Sequence, residues 1–138
     1  VGVAQLERLE ELRAGRARAA ASYERALGGM DAVRLPAAGP DEEVDWFVYV
    51  VQLAEDLDRE RLMAFLAERG VASRPYFNPL HLQPLYRERL GHGPGDFPVT
   101  ERIAATTLAL PWSPLLPDDD IEYVAEALIA GIREQSGG

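Results

Sequence analysis

Apolar positions at the start of the chain, Val3, Leu6, Leu9, Leu12, Ala19, Tyr23 and Leu27, recur at spacings of three, four and seven. That period gathers them near one face of a helix. The pattern predicts one long helix over residues 1–27, with Glu7, Glu10 and Glu11 ahead of Arg13, Arg16 and Arg18 and with Gly28-Gly29 as its stop. No capping side chain precedes it, so the expectation is a helix that begins further upstream in a longer parent. Residues 30–35, closed by Pro36, read as a short strand. Residues 46–53, aromatic, β-branched and almost continuously apolar, read as the central one. Asp58 then caps a helix to about Arg69, with Leu62, Met63, Phe65 and Leu66 as its apolar face and Gly70 at its end. A strand over 71–76, a short helix over 85–90 and a helix within 97–108 follow. In the last of these Val99, Ile103, Ala104 and Thr107 share a face. Residues 106–110 read as a strand ended by Pro111. The final helix starts at Pro117-Asp118-Asp119-Asp120, with its acidic first turn facing the positive end of the dipole. It runs to about Arg133 with Ile121, Val124, Leu128 and Ile132 inward, and 135–138 form a tail.

Helices segregated between short strands predict an α+β fold: a small, three- to four-stranded, mainly antiparallel sheet with helices packed on it and a long N-terminal helix. With 138 residues, 47% hydrophobic and 27% charged, residues 1–138 suffice for a single domain with its own core. The stretch 74–86, Arg-Pro-Tyr-Phe-Asn-Pro-Leu-His-Leu-Gln-Pro-Leu-Tyr, does not fit regular structure. Its three prolines fix their own φ and push the preceding residues toward extended geometry. A stiff aromatic loop on such a scaffold is suited to presenting side chains at an edge.

Charge narrows the partners. The net charge of −9 argues against nucleic acid and anionic membrane. No apolar run approaches the roughly 18 residues of a spanning helix, and no signal-peptide pattern is visible. With no cysteine either, a cytoplasmic protein is expected. All 14 basic side chains are arginine. Arginine stays protonated, so lysine-type imine chemistry is excluded for this chain by itself. His81 and His92 lack the further ligands a metal site needs. His81, set between Pro79 and Pro84, reads either as a hydrogen-bonded structural residue or as a ligand contact. The Asp118–120 run reads as a helix start rather than as paired acid and base, and the glycines of 91–95 lack the context of a phosphate cradle. Ser73, Ser113 and Ser136 have no partner base in view. The residues supply no complete catalytic set, no metal site and no cofactor site.

Several segments, taken in order, resemble one family. These are Val1-Gly-Val-Ala-Gln-Leu-Glu-Arg-Leu-Glu-Glu-Leu, the strand from Trp46, Gly70-Val-Ala-Ser-Arg-Pro-Tyr-Phe, Pro79-Leu-His-Leu-Gln-Pro-Leu-Tyr86, Phe97-Pro-Val-Thr-Glu-Arg-Ile-Ala, Leu108-Ala-Leu-Pro, and Leu116-Pro-Asp-Asp-Asp-Ile-Glu-Tyr-Val-Ala-Glu-Ala-Leu. Together they look like the C-terminal small domain of sugar aminotransferases of the DegT/StrS type. The resemblance implies a fold-type-I parent that uses pyridoxal phosphate to move an amino group, usually from glutamate, onto a nucleotide-linked keto sugar. The lysine of such a parent lies in a large N-terminal domain, so this chain alone would be inactive. The region matching 74–86 would lie toward the active-site mouth, where two subunits of a homodimer meet. Tyr76, Asn78 and His81 are then candidate contacts to the sugar nucleotide or the dimer partner. An apolar stripe on the first helix, left uncovered, should favour self-association. The competing reading is a freestanding α+β module that binds a small ligand or a protein, and a hydrolase using His81 with a carboxylate is a third.

Overall fold

The computed structural model describes residues 2–137. Four strands form one antiparallel sheet in the order β1-β2-β4-β3: β1 Val33–Arg34, β2 Tyr49–Leu53, β3 Arg74–Pro75 and β4 Thr107–Leu110. In β2, Tyr49, Val51 and Leu53 are buried and alternate with less buried Val50 and Gln52, the period-2 pattern of a sheet covered on one face. Opposite them, Tyr49 pairs with Leu110 and Val51 with Leu108, which sets four apolar side chains on the covered face. Arg74 pairs with Ala109, itself opposite Val50, so Arg74 stands on the other, more open face. Pro75, which has no N–H to donate, sits in the edge strand β3.

The helices α1 Gly2–Glu7, α2 Leu9–Leu27, α3 Arg59–Glu68, α4 Pro84–Leu90, α5 Pro98–Thr106 and α6 Asp118–Ser136 surround the sheet, with a 3₁₀ turn at Leu80–Leu82. Tyr23 and Leu27 from α2, Leu62 and Leu66 from α3, and Ile121, Val124, Leu128 and Ile132 from α6 join the buried face of the sheet in one core. The helix contacts are close. A Cβ on Gly131 of α6 would lie 2.6 Å from Leu62 Cδ1, and one on Gly15 of α2 would meet the Pro114 carbonyl. Tyr23 stacks on Tyr49 at 4.7 Å and Tyr49 on Trp112 at 5.5 Å. Tyr23 also donates to the Pro111 carbonyl at 2.7 Å, and Trp112 Nε1 to the Trp46 carbonyl at 3.2 Å. Burial pushes the Tyr49 phenol up to about 12 and that of Tyr23 higher still.

The α+β architecture and the central place of the 46–53 strand are as the pattern predicts, and Asp58 caps α3 by accepting from the Arg61 amide at 3.0 Å. Several bounds differ. The first helix is interrupted at Arg8, and Val1 lies outside the described residues. All four expected strands are trimmed to their paired residues, because pairing with a neighbour, not apolar content, sets where a ladder ends. Trp46 therefore serves the aromatic stack rather than β2. The tail is helical to Ser136, where Gln135 reaches back to bond the Asp58 backbone at 2.8 and 3.1 Å. Asp118 does not cap its own helix. It accepts from Ser22 at 2.7 Å and from Arg18 at 2.5 Å, tying α6 to α2, and the Ser22 hydroxyl, ahead of the Arg18 charge, holds its carboxyl below the ordinary value.

Candidate functional site

The loop between β3 and α4 carries, among the described residues, the one non-glycine residue with positive φ: Phe77 has φ +54. A side chain in the left-handed region costs about 1–2 kcal/mol, yet this ring is 73% exposed, so burial does not compensate it. The ring lies 4.5 Å from that of Tyr76. Together the two rings divide two adjoining grooves. The larger, about 580 Å³, is lined by Phe47, Ser73, Arg74, Tyr76, Phe77 and Trp112 among others. The smaller, about 280 Å³, is lined by Tyr76, Phe77, Asn78, Leu80, Thr100 and Ile103 among others. Tyr76 and Asn78, singled out from the sequence, thus share one groove. Val99 and Ile103 do share a face of α5 as expected, but they are exposed at this edge rather than buried.

His81 is placed differently. It is buried, outside both groove linings, with Nε2 2.9 Å from Glu101 Oε1 and its ring 4.7 Å from Phe97. Glu101, in the first turn of α5, also accepts from the Gly95 amide at 2.9 and 3.0 Å and from the Phe97 amide at 3.3 Å. One carboxylate therefore gathers the 3₁₀ turn, the glycine loop and the start of α5. The Gly95 amide, followed by the His81 ring, holds its carboxyl below the ordinary range. His92 makes a parallel arrangement: Nδ1 lies 3.2 Å from Asp96, which also accepts from Gly93, and its ring meets Phe97 edge-on at 5.1 Å. At the other end of α5, Arg59 donates to the Ala104 carbonyl at 2.6 Å, supplying the cation a helix C-terminus favours.

The sequence reading missed Phe47, Arg74, Phe77, Trp112 and Glu101. An aromatic after Arg-Pro was visible, but not its φ. Glu101 looks in sequence like any helix-start acid. Among the described residues no group of three or more His, Asp or Glu side chains is placed to hold a metal.

The described residues form a lysine-free α+β domain with a groove at its edge. Comparison with known proteins places it: residues 1–129 match the model of the DegT/DnrJ/EryC1/StrS aminotransferase family, and the chain belongs to that family. It is 30% identical over 132 residues to the spore coat polysaccharide biosynthesis protein SpsC of Bacillus subtilis, covering 93% of this chain and 34% of SpsC. The aminotransferase TlmJ of Streptoalloteichus hindustanus superposes with a TM-score of 0.84 at 31% identity, over 96% of this chain and 35% of TlmJ. DesI, crystallised in the presence of its TDP-sugar product, superposes with a TM-score of 0.82 at 28% identity, over 98% of this chain and 35% of DesI. The chain thus spans about a third of the length of the relatives it matches.

The family implies pyridoxal phosphate in the parent enzyme, and the donor set here does not fit its covalent attachment: the sequence contains no lysine.

Proposed function

We propose that the chain is the C-terminal small domain of a pyridoxal-phosphate-dependent aminotransferase acting on nucleotide-linked keto sugars. In this reading it supplies contacts to the sugar nucleotide and to the second subunit of a homodimer, while a large domain of the parent carries the cofactor. The observation that carries the reading is the strained loop at Phe77, which sets Tyr76 and Asn78 on a groove at the molecular edge. Strain of this kind persists where a function retains it. The family membership and the TDP-sugar product present with DesI support the substrate class. Tyr76 and Asn78 contact the sugar portion. His81, tied to Glu101, holds the loop at the boundary with the partner subunit. The parent is cytoplasmic.

Two measurements test this. The purified 138-residue chain should retain no imine-type absorbance with pyridoxal phosphate after gel filtration and should transfer no amino group from glutamate. In the full-length parent, Tyr76→Phe and Asn78→Ala should each raise KM for the nucleotide sugar by about tenfold, the loss of one or two hydrogen bonds, and leave KM for the amino donor unchanged. Turnover by the isolated chain, or variants that change only the amino-donor KM, would overturn the proposal.

A further inference from the structure

The smaller groove has no charged residue in its lining, whereas its larger neighbour has Arg74, which among the described residues has no carboxylate within ion-pair distance. Selection in the smaller groove therefore falls to its shape and to a few neutral polar groups. Its two walls come from different parts of the chain. Asn78, Pro79 and Leu80 form one, and Thr100, Ile103 and Ala104 of α5 form the other. Glu101 lies on α5 among those wall residues, and His81 follows directly on Leu80. The bond between His81 Nε2 and Glu101 Oε1, 2.9 Å long, is among the described residues the one hydrogen bond that joins the 3₁₀ turn to α5. Both ends of that bond are anchored. The turn is closed by Leu82 donating to the Pro79 carbonyl at 3.0 Å and by Gln83 donating to that of Leu80 at 3.1 Å. The helix α5 is held at its start by the Gly95 and Phe97 amides on Glu101 and at its end by Arg59 on the Ala104 carbonyl. A shift of His81 is thus a shift of the groove wall.

An ionised carboxylate only accepts hydrogen bonds, and the Gly95 amide, followed by the His81 ring, favours the ionised form of Glu101. Facing it, neutral His81 carries its proton on Nε2. His92 is the reverse case: its Nδ1 faces Asp96 at 3.2 Å, so its proton belongs on Nδ1. We propose that Glu101 is a positioning residue for substrate binding: it holds His81 in the Nε2–H form and so sets the width of the groove between the 76–80 loop and α5. The inference rests on the reading of this groove as the place of the sugar and adds to it what fixes the groove's shape. Glu101 lies outside the lining and acts through His81. A carboxamide at this position has the same size, but one of its two ends is a donor. It cannot hold the His81 ring and the Gly95 and Phe97 amides together, as a carboxylate that accepts on both oxygens does.

The test begins with the ¹⁵N-labelled 138-residue chain, whose two histidines are read separately by long-range imidazole nitrogen–proton correlations at about pH 8, above the usual histidine range. His81 should be protonated on Nε2 and His92 on Nδ1. Glu101→Gln should return His81 to a mixture of both forms and move the amide shifts of Phe77, Asn78 and Leu80. It should leave His92 and the amides of α6 in place, which is the check on folding. In the full-length parent, Glu101→Gln should raise KM for the nucleotide sugar about fivefold and leave KM for the amino donor unchanged. Adding His81→Gln should cost no further factor, because both changes act through one bond. His81 protonated on Nδ1 in the unsubstituted chain, or loop amides unmoved by Glu101→Gln, overturns the proposal. So do factors that multiply in the double variant. The imidazole and amide readouts involve no substrate, so failure of the sugar-nucleotide reading leaves them intact and is seen only in the kinetics of the parent.

Discussion

The left-handed backbone at Phe77 predicts a reversal that can be measured. At an ordinary position with negative φ, alanine is more stabilising than glycine by about 0.4–1 kcal/mol, because glycine leaves the unfolded chain freer. Phe77 has φ +54, where a Cβ crowds the following carbonyl at a cost of about 1–2 kcal/mol and glycine carries no such cost. Phe77→Ala and Phe77→Gly both delete the ring, so the loss of its partial burial and of its 4.5 Å contact with Tyr76 cancels between them. What remains is the strain less the glycine entropy, a net advantage of about 0.5–1 kcal/mol for Gly over Ala. At this chain length that is about 2–5 °C in melting temperature. Urea unfolding of both variants, compared at equal m-values, reads the difference directly. Alanine equal to or more stable than glycine would refute the reasoning, since it would mean that the backbone at this position is not held left-handed.

Other outcomes follow from the packing and the charges. Glu101 has its carboxyl held below the ordinary 4.5, so its contribution to stability is complete above that value and is lost as pH falls through its folded pKa. Glu101→Gln should therefore lower stability at neutral pH and flatten the decline below pH 4.5 in acid titrations followed by circular dichroism. An unchanged slope counts against the clasp on Gly95, Phe97 and His81. Gly15→Ala, which in an open helix would gain about 1 kcal/mol of propensity, should instead destabilise by about 1–2 kcal/mol because its methyl meets the Pro114 carbonyl. Thermal unfolding gives the sign. Difference spectra of Tyr49→Phe against the parent chain should show one phenol ionising near pH 12, and the Tyr23 phenol should not ionise before the fold opens.

Much of the scaffold could be read from the chain alone. The 3.6-residue period placed Ile121, Val124, Leu128 and Ile132 inward on α6, Asp58 announced α3, and the β-branched run after Trp46 supplied the inner strand, because each of these signals is local and repeats along its own segment. The missing lysine likewise follows from composition. Strand ends did not, since Met30, Val48 and Val71 are as apolar as their neighbours and only pairing across the sheet decides where a ladder stops. The role of Asp118 was hidden for the same reason: its partners Ser22 and Arg18 lie on α2, nearly a hundred residues away. The candidate site is the extreme case. Phe47, Arg74 and Trp112 come from three separate segments, and Glu101 meets His81 only because α5 folds back over the glycine loop. Periodicity reports which face a residue takes within its own element. Which elements meet, and hence which unpaired cation and which strained ring border the same groove, is settled by long-range packing.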